Sequence, residues 1–137
     1  MKAIFADTFY WVALTNKLDA LHERALALPR SLGLPQIVTT EQVITEYLNF
    51  FPKWGEHFRR KASANVRGAL ATPSVTVVPH TQESFLAGLA LYEAGLDKGY
   101  SSTDCISMET MRRGGLTDVL TNDQHFEREG FRAVFRL

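Results

Sequence analysis

Much that would make a 137-residue chain easy to classify is missing from this one, and each absence removes an explanation. There is a single cysteine, Cys105, so no internal disulfide framework and no Cys-based zinc site can form within one chain. It reads as a small buried hydrophobe in a reducing compartment. Fifteen basic residues balance fifteen acidic ones, so the overall charge gives no reason to expect a nucleic-acid partner, and any such case must be local. No apolar run reaches the length of a membrane span, and the N-terminal M-K-A-I-F-A-D meets its first acid too early for a secretory signal. The expectation is a soluble, cytoplasmic protein with no membrane partner. Repeats, low-complexity tracts and Pro/Gly linkers are also absent, so one domain spanning 1–137 is expected, large enough to bury a proper core.

What is present alternates short apolar runs with longer stretches of helical period. Residues 2–6 (K-A-I-F-A) predict a first strand and D-T-F-Y-W-V-A-L a short helix after it. Residues 18–28 repeat apolar groups at helical spacing until Pro29, which is expected to end or kink that helix. P-Q-I-V-T (35–39) predicts a second strand, T-E-Q-V-I-T-E-Y-L-N-F-F a helix stopped near Pro52, and Trp54 to Leu70 a basic helix. S-V-T-V-V (74–78) is β-branched and predicts a third strand. A helix then opens at Thr81 as cap and closes on a left-handed Gly95. Another runs from about Thr103 to Arg113, terminated by Gly114, before strands at 118–121 and 132–136. Strands separated by helices imply crossover connections. The fold class is therefore α/β, with a mainly parallel sheet of four to five strands and helices on both faces. In such sheets ligands bind beyond the carboxyl ends of the strands.

Four acids fall where that rule makes them interesting. Asp7 follows the first strand, Asp104 completes the capping-box spacing S-S-T-D, and Asp123 follows the fourth strand. Each could simply cap a helix. Glu46 lies inside the apolar V-I-T-E-Y-L, where a narrow polar stripe through Gln42, Glu46 and Asn49 could hold it in solvent. Taken together they mean more. Carboxylates crowded at one rim repel one another, and a divalent cation relieves the repulsion. No His or Cys joins them at ligand spacing, so an all-oxygen Mg²⁺ or Mn²⁺ site is expected rather than zinc. Such a site suits phosphoryl transfer or phosphodiester hydrolysis.

The segments I-F-A-D-T-F-Y-W-V-A-L, T-T-E-Q-V-I-T-E-Y-L, S-S-T-D-C-I-S-M and L-T-N-D-Q-H-F, in that order, resemble the PIN domain family of metal-dependent ribonucleases, in particular its compact VapC-type toxins. The resemblance covers nearly the whole chain. It implies a three-layer α/β/α fold and one or two Mg²⁺ or Mn²⁺ ions held by Asp7, Glu46 (rather than Glu41), Asp104 and Asp123. It also implies water-driven hydrolysis of single-stranded RNA, a cognate antitoxin as protein partner, and a homodimer touching through the second and basic helices. Thr8, Ser101, Thr103, Thr121 and Asn122 become supporting groups, with Thr121 beside Asp123. His22 is expected to be structural. His125, next to Phe126, is expected to pack or fix its loop rather than to catalyse.

The one local cluster of positive charge, with Arg59, Arg60, Lys61 and Arg67, could face RNA or merely water. A catalytically silent PIN-like module that binds RNA or protein stays open, as does a housekeeping RNA-processing nuclease. A receiver domain would need a late-strand Lys, and a haloacid-type phosphatase an Asp-x-Asp after the first strand. D-T-F offers no second Asp.

Overall fold

A computed structural model describes residues 2–50 and 55–136 of the chain. Five parallel strands form one sheet in the order β3-β2-β1-β4-β5, with β1 at Ala3–Ala6, β2 at Gln36–Thr40, β3 at Val75–Val78, β4 at Asp118–Leu120 and β5 at Arg132–Ala133. Helices α1 (Thr8–Thr15) and α2 (His22–Ser31) connect β1 to β2, and α3 (Glu41–Phe50) and α4 (Glu56–Ala71) connect β2 to β3. The chain then returns through α5 (Gln82–Ala94) and α6 (Ser102–Gly114) to β4, and the short α7 (Gln124–Arg128) leads to β5. α1 packs against α2, α3 and α4, and α5 against α6, the grouping expected of right-handed crossovers that run in opposite directions from β1. The result is the expected three-layer α/β/α fold. No helix among the described residues is long and apolar enough to cross a membrane.

The strand order reverses between β1 and β4, which pair directly with Phe5 opposite Val119 and Ala6 opposite Leu120. This is the switch point at which open α/β sheets bind ligands. The strands there are short and their paired residues are apolar: Phe5, Ala6, Val119 and Leu120 have no exposure and share one core with the equally buried Phe126 and Met108. α5 and α6 approach closely at Gly88, where a Cβ would sit 2.5 Å from the Ile106 side chain.

Several element boundaries differ from expectation. α2 starts only at His22, because Asn16 and Asp19 form side-chain turns with the amides of Leu18 and Leu21. It then continues through Pro29 to Ser31, so the proline lies inside the last turn and the helix ends soon after it. α6 is closed by Gly115 in the left-handed conformation (φ 66°), with Gly114 as its last residue, and Gly95 ends α5 without a positive φ. The final strand is only two residues long, because the chain turns into a 3-10 helix at Val134–Arg136 that buries Val134 and Phe135. Pro52 and Trp54, the expected ends of the third and fourth helices, lie outside the described residues.

Candidate metal centre and active cleft

Asp7 leaves β1 with extended backbone and occupies the cap position of α1, yet its side chain makes no capping bond. Helix capping therefore does not account for this residue. Its carboxylate is 6% exposed and accepts a 2.9 Å hydrogen bond from the buried hydroxyl of Thr121, at the end of the neighbouring strand. That hydroxyl also accepts the Asp123 amide at 3.2 Å, so one threonine links two acids 116 residues apart in sequence through β1 and β4. Thr121, expected to support Asp123, does accept its amide and in addition donates to the Asp7 carboxylate.

Asp104 and Asp123 do cap their helices. The Ser101 hydroxyl accepts from the Asp104 amide at 3.0 Å while Asp104 accepts from the Ser101 amide at 3.2 Å, a complete capping box. Asp123 accepts from the His125 amide at 2.9 Å. Capping and site formation coincide, because α6 begins at the carboxyl rim of the sheet and its cap residue arrives there with it. Glu46 projects half-buried from α3 into the same space, whereas Glu41 accepts the His80 amide at the surface. A cleft of about 550 Å³ is lined by Asp7, Glu46, Asp104 and Asp123 together with Thr8, Thr121 and Asn122. Thr103 is buried in α6 and is not part of that lining.

The electrostatics are those of acids without a counter-charge. Burial, then the field of Asp104, with a smaller push from Glu46, raises Asp7 from 3.8 to about 7 against the hydrogen bonds from Thr121 and the Thr8 amide. Burial also raises Asp104, with Asp123 adding to it and the Ser101 bonds and His125 opposing.

His125 departs from expectation. Its ring packs edge-on against Tyr100, but its Nδ1 lies 3.3 Å from Asp123 Oδ1 and 3.6 Å from Asp104 Oδ2. A nitrogen donor does therefore join the carboxylates, although no ligand spacing in the sequence shows it. The signal available was Asp123 two residues earlier, since a one-turn helix returns that side chain toward its own cap. Donor atoms of Asp104, Asp123 and His125 all fall within 4.8 Å of one another. Two buried polar atoms here, Thr8 Oγ1 and His125 Nδ1, have no hydrogen-bond partner. Repelling carboxylates, an unpaired nitrogen and mostly oxygen donors fit a divalent cation.

The basic helix is not brought to this cleft. Lys61 donates to the Thr15 carbonyl at 2.8 Å and so ties α4 to the end of α1, Arg60 pairs with Glu56, and neither Arg59 nor Arg67 lines the acidic space. His22, as expected, is structural: its Nδ1 bonds the Ala13 carbonyl at 2.7 Å in a buried position.

No family model matches the chain. Two curated proteins, both the "23S rRNA-specific endonuclease VapC20" of Mycobacterium tuberculosis strains, are 28% identical over 128 residues, which is 93% of this chain and 95% of theirs. The crystal structure of Mycobacterium tuberculosis VapC20, described as a Sarcin-Ricin loop cleaving toxin, superposes with a TM-score of 0.81 at 26% identity, covering 93% of this chain and 95% of the other. Over nearly its whole length the chain is similar, in sequence and in fold, to VapC20. Its acidic rim thus lies within a fold that its VapC relatives use as a nuclease.

Proposed function

We propose that this chain is a VapC-type PIN-domain protein, a divalent-metal-dependent endoribonuclease and the toxin of a toxin–antitoxin pair, working in the cytoplasm. The observation that carries the reading is the convergence of Asp7, Glu46, Asp104 and Asp123 on one cleft at the sheet's switch point. These four residues would hold one or two Mg²⁺ or Mn²⁺ ions. When bound, such an ion supplies Lewis acidity toward phosphodiester oxygens and acidifies water.

The chain's own contribution is placement. Thr121 orients the Asp7 carboxylate, the Ser101 capping box fixes Asp104, and the rigid β1 and β4 ends hold both acids. The remaining wall of the cleft consists of Asp19 and the apolar Phe9, Val12 and Phe50, whose aromatic rings suit the stacking of unpaired bases of single-stranded RNA. Arg59 and Arg67 would add phosphate contacts outside the cleft. A homodimer is part of the proposal, and the side chains of Phe85, Leu86, Leu89 and Tyr92, exposed along α5, give it more apolar area than α2 or α4 would.

Purified protein incubated with a fluorescently labelled RNA containing unpaired loops should cleave it in Mg²⁺ or Mn²⁺ and stop in EDTA. Absence of cleavage with either ion, over a range of single-stranded and looped RNAs, would defeat the enzymatic reading. Expression with and without the adjacent reading frame tests the antitoxin.

A further inference from the structure

We propose that His125 is a nitrogen ligand of this metal centre, held in place by Tyr100 and Glu129, and that it biases the site toward Mn²⁺ over Mg²⁺. The inference rests on the metal-dependent reading above and adds a donor that an all-carboxylate site lacks.

The geometry around the ring leaves Nδ1 with little else to do. The atom is buried and makes no hydrogen bond among the described residues, although two carboxylate oxygens lie 3.3 and 3.6 Å away. Proximity without hydrogen-bond geometry is what a lone pair directed at a shared cation would leave behind. The three donor atoms also lie within the spread that one coordination sphere spans.

The ring is braced from behind by groups with no other evident task. Tyr100 is 5% exposed, and its ring meets that of His125 at 5.2 Å between centroids and 61°. Its hydroxyl donates to Glu129 Oε2 at 2.8 Å, and Glu129 is itself held by Arg112 at 2.7 Å and Lys98 at 3.3 Å. Arg112 in turn bonds Glu109 and stands over the Phe131 ring. This network joins the end of α6, the loop before it and the end of α7, and it fixes the tilt of the imidazole. Burial tends to raise Glu129, but its bonds to Arg112, Tyr100 and Lys98 outweigh that and hold it below the usual carboxylate range, so it stays charged and anchored.

Imidazole nitrogen suits Mn²⁺ better than Mg²⁺, which prefers oxygen and keeps its water. Replacing the nitrogen should therefore cost Mn²⁺ affinity and leave Mg²⁺ affinity nearly unchanged.

The test uses the full chain and the metals alone. Electron spin-echo modulation of bound Mn²⁺ should show ¹⁴N coupling in the wild type and lose it in His125→Gln. Calorimetry should give a loss of Mn²⁺ affinity on the order of tenfold in that variant, with Mg²⁺ affinity within about twofold of wild type. Tyr100→Leu should retain the Mg²⁺ value and weaken Mn²⁺ binding by a smaller factor, with broadened nitrogen coupling. If Mn²⁺ binds the wild type without nitrogen coupling, this inference fails and the carboxylate site stands; that measurement needs no variant to fold. If His125→Gln leaves the Mn²⁺/Mg²⁺ preference unchanged, it fails likewise. If the wild type binds neither ion, the metal-dependent reading fails with it.

Discussion

Asp7 and Asp118 are two aspartates, 6% and 4% exposed, at opposite rims of neighbouring parallel strands. Their surroundings differ completely. Asp118 receives a two-pronged contact from Arg132 at 3.1 and 2.8 Å and the Lys2 ammonium at 2.6 Å, and these bonds, outweighing burial, lower its pKa. Asp7 has one hydroxyl and one backbone amide set against burial and two further carboxylates, and it is pushed up to about 7. A buried acid whose charge is answered by side chains is part of the scaffold. One whose charge is left for something else to answer is part of a site.

The largest effect expected from breaking this contrast is on cleavage. Asp7→Asn should reduce RNA hydrolysis by about a thousandfold or more while keeping or raising thermal stability, because it removes an unanswered buried charge. Loss of both activity and stability would place Asp7 in the scaffold instead.

Next in size is the pH response of the metal-free protein. A carboxyl whose folded pKa is raised binds its proton more tightly in the folded state, so stability should fall as pH rises from 3.8 toward 7. For Asp7 alone this amounts to up to about 4 kcal/mol, at about 1.4 kcal/mol per pH unit. Asp118 has the opposite sign: its stabilisation is present above the ordinary carboxylate range and is lost as pH falls through its lowered value. Denaturant melts in EDTA between pH 4 and 8 should therefore slope downward, and Mn²⁺ or Mg²⁺ at a hundred times its Kd should restore about 2.7 kcal/mol at the upper end. A flat profile would remove the charge contrast.

Asp118→Asn should cost about 1.5–3 kcal/mol of stability with cleavage per folded molecule unchanged, the mirror image of Asp7→Asn. Thr121→Val is the mildest change, because it leaves the acids in place. Cleavage should drop about tenfold and stability by about 1 kcal/mol, readable from kinetics and a melt on the same sample.

Much of the site was legible along the chain because its acids are tied to local features. Asp7 and Asp123 follow strands, and Asp104 completes a capping box whose spacing is visible in S-S-T-D. Strand ends and helix caps are determined within a few residues, so their alignment at one rim follows once crossovers are granted. The approach of His125 to the acids was not legible, because its ring direction depends on Tyr100, 25 residues away, and on Glu129 behind that. The role of Lys61 was hidden for a similar reason: it looks like a surface charge until Thr15 is placed next to it. Gly114 and Gly115 are indistinguishable by composition, and only the backbone shows which takes the positive φ.

The sequence by itself therefore determined the α/β class, the order of the elements and which acids stand at the carboxyl rim, since periodicity and capping act over one or two turns. Only the tertiary structure decided which buried charges are compensated. Charges interact through space: Thr121 for Asp7 and Lys2 for Asp118 lie more than a hundred residues away along the chain, and even Arg132, the other partner of Asp118, comes from the next strand.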